Sequence, residues 1–236
     1  MKIPRTQKGF TLIELLVVIG IIALLASIAV PAFTGVQIRA AQTKALSNAK
    51  QIGLCCKQFA IDNNGQYPSY QLTASGTGTT PVASSNQAFD NLFPAYIQTN
   101  SIFFLAKSQW TPVQQPDFTS TTFTTSPSGP FLTQGYNEWA YVPGLYDTSS
   151  SQFPLIADGF SSSAQGTNTY ATSETAKGGV WKGLQAVVVF CDDSAKVIKC
   201  TTGTAPTVPG GPNGNLFDYS GQNGWLSTTN EVVNPL

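Results

Sequence analysis

The chain has 236 residues with 12 basic and 12 acidic side chains, so its formal charge is zero, and it contains no histidine. A balanced charge gives no reason to expect nucleic acid or an anionic surface as a partner. The lack of histidine excludes a Ser-His-Asp triad and most zinc sites. Only 10% of the residues are charged, against about 25% in typical soluble domains, so the surface must be polar mainly through neutral side chains.

The first predicted element is a membrane helix. An apolar run extends from Phe10 to Phe33 with one charge, Glu14, and three cations precede it. About 20 apolar residues at about 1.5 Å each span a bilayer core of about 30 Å. The cations predict that the N-terminus stays in the cytoplasm and that the C-terminal bulk lies outside. Because a secretory h-region is shorter, roughly 7–15 residues, and ends in a small-residue cleavage site, we interpret this run as a retained helix.

Glu14 places a carboxylate inside this run. Such a group costs at least about 2.5 kcal/mol at mid-membrane on insertion scales, so it indicates a functional site. Glu14 lies only five residues into the run, and the alternative is that its side chain reaches the cytoplasmic interface. The residues around it favour the functional interpretation.

The segment Lys8-Gly9-Phe10-Thr11-Leu12-Ile13-Glu14 resembles the N-terminus of type IV prepilins and of the pseudopilins of type II secretion. The resemblance implies that a membrane prepilin peptidase cuts after Gly9 and N-methylates the new terminal residue, Phe10. It also implies roles in subunit assembly for Glu14 and for Pro31, where many pilins have proline. We expect Glu14 to pair with the Phe10 amine of an adjacent subunit, because such a pair is strong when it is desolvated.

Residues 34–64 are predicted to continue as an amphipathic helix. The segments Leu46–Gly53 and Asp62–Pro68 are similar to the second half of the pseudopilin helix and its exit loop, and Asp62-Asn63-Asn64-Gly65 is a stop signal. One face should dock on the rest of the protein, since apolar residues recur at three- and four-residue steps. The residues of this face are Ile38, Ala41, Ala45, Ala49, Ile52, Cys56, Phe59 and Ala60.

The resemblance implies an α+β pilin fold, in which a long N-terminal helix, half membrane and half amphipathic, packs on an antiparallel β-sheet head. The predicted domains are a leader (1–9), a membrane and assembly helix (10–33), an amphipathic helix (34–64) and an extracytoplasmic head (65–236). Removing the leader leaves nine basic and 12 acidic residues, a formal charge of −3.

Within the head, the stretches rich in Ser, Thr and Gly at residues 69–88 and Thr119–Gly129 are predicted to be loops. Phe89–Leu105 predicts a short helix and then an extended segment, and residues 201–236 are expected to wrap the surface. The remaining predicted elements are the strands Tyr136–Tyr146, Phe153–Asp158, Val180–Phe190 and Lys196–Cys200, with a turn at Asp192–Ala195.

The four cysteines are Cys55, Cys56, Cys191 and Cys200. Side chains of adjacent helical residues diverge, so a Cys55–Cys56 bridge is not expected, and Cys56 fits the apolar helix face. Cys191 and Cys200 flank the predicted hairpin, and an oxidising compartment would permit a disulfide between them. The alternative is a tight turn that leaves them out of register and too far apart to bond.

The resemblance makes calcium a candidate cofactor, because major pseudopilins often hold this ion in a C-terminal loop. Asn213, Asn215, Asp218 and Ser220 lie in a Gly-rich segment and carry oxygen ligands of the kind calcium prefers. One carboxylate is few for a calcium site, and an ordinary polar loop is the alternative.

The predicted function is that of a structural subunit, a pilin or pseudopilin that assembles into a type II secretion pseudopilus or a type IV pilus-like filament. Its expected partners are prepilin peptidase, other subunits and an inner-membrane assembly platform, with the head in the periplasm. The alternative is a minor pilin acting as an adhesin or a carbohydrate- or cargo-binding tip protein. This alternative rests on an aromatic set that would otherwise form the core: Trp110, Tyr136, Trp139, Tyr141, Tyr146 and Trp181.

An enzyme is not predicted. The chain has no Gly-rich phosphate loop and no Gly-x-Ser-x-Gly elbow. Asp158 and Glu174 are nominal candidates for the two carboxylates that a glycosidase needs across a cleft, but no feature of the sequence singles them out.

Overall fold

The structure, a computed structural model, describes residues 9–73, 76–112, 131–161, 168–218, 220–221 and 225–236. The predicted loop Thr119–Gly129 and the first eight residues of the predicted leader lie outside these ranges. The chain divides into two compact units, Met1–Ala41 and Gln42–Leu236.

A single helix, α1, runs from Leu12 to Asp62. Its 51 residues correspond to a length of about 75 Å at about 1.5 Å per residue. The helix ends at the predicted stop signal, where Asn64 and Gly65 both adopt positive φ angles (55° and 80°). The Gly65 amide donates to the Ala60 carbonyl at 2.8 Å, which satisfies one of the last helical carbonyls.

From Gln42 onward, α1 buries one face in the core of the second unit. The buried positions include Ala45, Ile52 and Cys56, each with no exposed surface, as the three- and four-residue spacing predicts. Ile38 was predicted on the same face but is 49% exposed, so the buried face begins at Ala45.

Four strands form an antiparallel sheet in the order β3 (Trp139–Tyr141), β4 (Pro154–Asp158), β5 (Gln185–Phe190) and β6 (Ala195–Lys199). The register pairs Trp139 with Asp158, Ala157 with Val188, and Val187 with Val197. Every residue of β3 and β4 is buried, as is all of β5 after its first residue, so the prediction of a central strand buried on both faces is confirmed.

Two predicted strands were too long. The segment before Gln185 forms turns, because Lys182 and Gly183 have φ angles of 56° and 64°, which an extended strand cannot contain. On the other strand, β3 ends at Tyr141, and Gly144 with φ of 77° turns the chain away from the sheet. The predicted turn between β5 and β6 is confirmed, since it lies between Phe190 and Ala195.

The prediction of a loop over residues 69–88 was wrong. Strands β1 (Tyr70–Thr73) and β2 (Gly76–Pro81) pair as an antiparallel hairpin, and helix α2 follows at Ser85–Asp90. Helix α2 begins here because the Ser84 hydroxyl accepts a hydrogen bond from the Gln87 amide, the N-cap arrangement that starts helices. The predicted helix and extended segment from Phe89 instead give the end of α2, turns and a short 3₁₀ helix at Ser101–Phe103.

The C-terminal segment does more than wrap the surface. Val233 pairs with Tyr141 in an isolated antiparallel bridge beside β3, and a second short 3₁₀ helix lies at Thr228–Asn230. This segment also contributes apolar side chains to the core. The buried residues are Val208, Leu216, Phe217, Leu226, Val232 and Val233.

Candidate functional site

The predicted processing junction lies directly before α1. Gly9 and Phe10 precede the first helical residue, Leu12, and are not helical themselves. Phe10 is 79% exposed, and no heavy atom outside its chain neighbours lies within 4 Å of a Cβ built on Gly9. The peptide bond between these two residues therefore lies outside the helix, between two exposed residues.

Thr11 and Glu14 form a capping box at the start of α1. The Glu14 carboxylate accepts hydrogen bonds from the Thr11 amide at 2.9 Å and from the Thr11 hydroxyl at 2.7 Å. In return the Thr11 hydroxyl accepts from the Glu14 amide at 3.4 Å. This reciprocal arrangement satisfies two otherwise unpaired amides at a helix N-terminus, so it fixes where α1 begins.

The capping box also fixes the position of the Glu14 carboxylate next to the residue that would become the new N-terminus. Sequence reasoning gave Glu14 an intersubunit role and missed this intramolecular one. The signal was present, because Thr-x-x-Glu before an apolar run is the sequence signature of a capping box.

The described large apolar side chains from Phe10 to Val30, and those of Phe33, Val36 and Ile38, are all exposed. These side chains are between 46% exposed (Val18) and 88% exposed (Leu12). Among the described residues, α1 is the one helix long and apolar enough to cross a membrane. Pro31 lies within this helix, and open space surrounds Gly20, which leaves room for another helix to approach closely.

In this structure Cys191 and Cys200 are both buried free thiols. The register pairs Gln185 with Lys199 and Val189 with Ala195, so the two cysteines lie at opposite ends of the hairpin. The structure therefore has the unbonded one of the two predicted alternatives, and the proposed bond is corrected.

The calcium candidates lie in one loop and bond to one another. The Asn213 amide donates to the Asp218 carboxylate, the Ser220 amide donates to the same carboxylate at 2.9 Å, and the Asn215 side chain accepts from the Phe217 amide at 3.1 Å. The Asn213 hydrogen bond, followed by those from Ser220, lowers the pKa of Asp218. Donors within the loop thus satisfy the Asp218 carboxylate, as in an ordinary polar loop. Calcium binding stays a prediction.

The aromatic set behind the binding alternative does not form an exposed platform. Trp139 and Tyr141 have no exposed surface and Trp110 is 7% exposed, so half of the set belongs to the core. The nominal carboxylate pair is also separated, because Asp158 is fully buried whereas Glu174 lies at the surface, 3.3 Å from Lys182.

Buried carboxyl groups in the head were not predicted. The Asp158 carboxylate accepts hydrogen bonds from the Trp181 indole at 3.0 Å and from the Val187 amide at 2.6 Å, yet burial raises its pKa to about 7. Burial also raises the pKa of Glu138, which accepts from the Ser108 hydroxyl, and that of Asp90 to about 6. These groups stabilise loops and strand ends rather than face a cleft.

The sequence of the chain is similar to known proteins over its N-terminal motif and over part of its length. The family described as the prokaryotic N-terminal methylation motif matches residues 4–30. The chain is 36% identical over 80 residues to type II secretion system core protein G of Aeromonas hydrophila, which covers 34% of this chain and 55% of that protein. It is 40% identical over 80 residues to the type IV wide pilus major component PilA4 of Thermus thermophilus, covering 33% of this chain and 60% of that one.

A third relative, the type IV major pilin protein PilA of Myxococcus xanthus, is 46% identical over 56 residues, or 24% of this chain and 25% of that protein. The chain thus spans between a quarter and three fifths of the length of these relatives. No solved structure gives a significant match.

The methylation motif lies at the start of a capped apolar helix, and an α+β unit with an antiparallel sheet follows that helix. The N-terminal part of the chain thus carries the prokaryotic N-terminal methylation motif and is similar to type IV pilins and to the type II secretion system core protein G.

Proposed function

We propose that the chain is a structural subunit that is cut after Gly9, methylated at Phe10 and assembled through α1 into a pseudopilus or a type IV pilus-like filament. The observation that carries the proposal is the set of exposed apolar side chains at the start of α1, which coincides with the methylation motif matched at residues 4–30. Relatives of both kinds, secretion and pilus, match the chain at similar identity, so the proposal names what the two assemblies share.

In this proposal the chain waits as a single-pass protein of the bacterial inner membrane with its head in the periplasm. Its partners are prepilin peptidase, further pilin or pseudopilin subunits and an inner-membrane assembly platform. Prolonged exposure of so much apolar surface to water would be costly, at about 25 cal/mol per Å², so lipid covers it before assembly and neighbouring helices cover it afterwards.

Cleavage would give Glu14 a second role. The new amino group on Phe10 is a cation in an apolar environment, where an unpaired charge is expensive. The Glu14 carboxylate of a neighbouring subunit at the same height can neutralise it, and the pair then sets the register between subunits. Within its own chain Glu14 continues to accept from the Thr11 amide, since a carboxylate has about four lone-pair sites.

The test begins with the protein purified from its native membrane. We expect the N-terminal peptide to begin at Phe10 and to carry one extra methyl group by mass spectrometry. A peptide beginning at Met1, in cells with active prepilin peptidase, would refute the processing step.

Two variants then separate the roles of Glu14. Glu14→Gln keeps an acceptor for the Thr11 amide, because glutamine also completes a capping box, but it removes the charge. We expect this variant to be processed normally and to enter filaments at least tenfold less than the wild type. Thr11→Val, the matched control, breaks the capping box and keeps the charge, so filament entry should fall much less. Normal filament entry by Glu14→Gln would exclude the charge pair.

A further inference from the structure

Helix α1 approaches strand β5 unusually closely at one point. A Cβ built on Gly53 would lie 4.0 Å from the Val189 Cβ and 2.9 Å from its Cγ1. Cβ atoms joined by a disulfide are typically about 3.5–4.5 Å apart. The backbones of the helix and the strand are therefore separated here by the distance that a disulfide spans, and only the glycine makes room for the valine.

Cys56 lies further along α1 from this contact, and Cys191 lies just past the end of β5. Cys56 follows Gly53 by three residues, which keeps it on the same side of the helix about 4.5 Å further on. Cys191 follows Val189 by two residues and is the first residue of the turn after β5, where its amide donates to the Phe153 carbonyl at 3.0 Å. Both side chains are buried, at 0% and 3% exposure, in one apolar core.

Contacts on the far side of the two cysteines show that helix and hairpin stay together beyond them. Lys57 Nζ lies 2.8 Å from Asp193 Oδ2, joining the residue after Cys56 to the turn after Cys191. The Tyr67 hydroxyl donates to the Cys191 carbonyl at 3.3 Å. Burial raises the pKa of Tyr67, and the charges of Cys191, Asp193 and Cys56 raise it further.

The other two cysteines are directed elsewhere. The Cys55 thiol donates to the Tyr96 carbonyl at 3.5 Å, on a different side of α1. The Cys200 amide bonds to the Leu184 carbonyl at 3.0 Å, at the opposite end of the hairpin from Cys191.

We propose that Cys56 and Cys191, which are free thiols in this structure, are joined by a disulfide in the mature protein, fastening α1 to the β5–β6 hairpin. In this reaction two thiols lose two protons and two electrons, and one S–S bond forms. The oxidant is the exchangeable disulfide of an extracytoplasmic thiol oxidase, which is reduced to a dithiol through a mixed disulfide. The proposal rests on the proposed function in one respect, because it needs the head to reach an oxidising compartment.

The bond must form before the core closes. Burial raises the pKa of both thiols, that of Cys191 to about 12, so almost no thiolate exists in the folded head, and thiolate is the reactive form. Oxidation during folding, while α1 is still undocked, avoids this barrier. Once formed and buried, the same bond is protected from reducing thiols.

The test traps free thiols in the full chain. Cells are quenched in acid, the protein is denatured and alkylated, and it is then reduced and alkylated with a second reagent of different mass. We expect Cys55 and Cys200 to carry the first label and Cys56 and Cys191 the second, with a linked peptide between them before reduction. First-label alkylation of Cys56 and Cys191 in a chain that begins at Phe10 would overturn the proposal. The N-terminal mass, read from the same digest, tests the proposed function separately.

A second measurement does not depend on export. The purified full chain in detergent is unfolded in urea and refolded in a buffer of oxidised and reduced glutathione. We expect the Cys56–Cys191 link in the wild type, in Cys55→Ala and in Cys200→Ala, and reduction should lower the midpoint of thermal unfolding by roughly 5–15 °C. Recovery of a folded wild type with all four thiols free under oxidising conditions would refute the bond. Cys56→Ala and Cys191→Ala should show no reduction-dependent shift.

Discussion

The two units of the chain place their apolar and charged groups in opposite ways. The first unit exposes apolar side chains along α1, with Leu24 and Leu25 at 65% and 63% exposure, and the carboxylate of Glu14 serves its helix start. The second unit buries its apolar side chains and, with them, the carboxyl groups of Asp158 and Glu138. An apolar surface without a cover needs lipid or another subunit, whereas a buried carboxyl group needs partners from its own chain. The first unit therefore presents its apolar side chains outward, and the second encloses its apolar side chains in a core.

The largest expected effect comes from placing a charge on the exposed surface of α1. Leu24→Lys should lower the fraction of the full chain that stays in alkaline-washed membranes by at least tenfold. The change from leucine to lysine near a helix centre costs roughly 3 kcal/mol on insertion scales. The control Leu24→Ile keeps the apolar surface and should behave as the wild type. Full membrane retention of Leu24→Lys would mean that this surface does not contact lipid.

The second largest effect is expected from removing a buried carboxyl group of the head. Asp158→Ala removes the acceptor of the Trp181 indole and the Val187 amide, leaving one buried and one half-buried donor unpaired. We expect the free energy of unfolding of the full chain in detergent, measured by tryptophan fluorescence in urea at pH 5, to fall by roughly 2–4 kcal/mol. Glu174→Ala, at an exposed carboxylate, should change it by less than about 0.5 kcal/mol. Equal effects of the two variants would contradict the buried role of Asp158.

The sequence could predict the parts of the structure that depend on neighbouring residues, and not those that depend on residues far along the chain. The membrane helix and the buried face of α1 from Ala45 follow from local spacing, and the Thr11–Glu14 capping box is a local motif. The burial of Asp158 depends on partners 23 and 29 residues away, which no local pattern announces. The β1–β2 hairpin was missed for another reason, since Ser, Thr and Gly are the residues of loops as well as of short strands at a sheet edge.

A pH series tests the buried carboxyl groups together. The pKa of Asp158 is about 7 and that of Asp90 about 6 in the folded head, against about 3.9 when unfolded. Between these values the folded state binds more protons than the unfolded state, so stability is greatest below pH 4 with respect to these groups and is lost as the pH rises towards 7. The slope expected for each group is about 1.4 kcal/mol per pH unit.

No histidine contributes to the pH dependence of unfolding between pH 5 and 8, because the chain contains none. Hydrogen bonds from Ser194 and Asn213 lower the pKa values of Asp192 and Asp218. These two groups therefore change the free energy of unfolding only below about pH 4. We expect the unfolding midpoint in urea to be lower at pH 8 than at pH 5, and Asp158→Asn to reduce this difference. A midpoint that rises from pH 5 to pH 8 would contradict the buried, protonated state.

The smallest effect compares two glycines of the same helix. Alanine favours a helix over glycine by about 1 kcal/mol, and Gly20→Ala meets open space, so it should leave the stability of the head unchanged. Gly53→Ala places its methyl group 2.9 Å from Val189 Cγ1, and such overpacking costs typically 1–3 kcal/mol. The net result should be a loss of about 1 kcal/mol in the free energy of unfolding, despite the better helix former. Val189→Ala combined with Gly53→Ala should cost less than the sum of the two single changes, because it removes the atom in collision. If Gly53→Ala instead stabilises the head, then α1 does not approach β5 closely at this point. The helix and the hairpin would then be too far apart for a bond between Cys56 and Cys191.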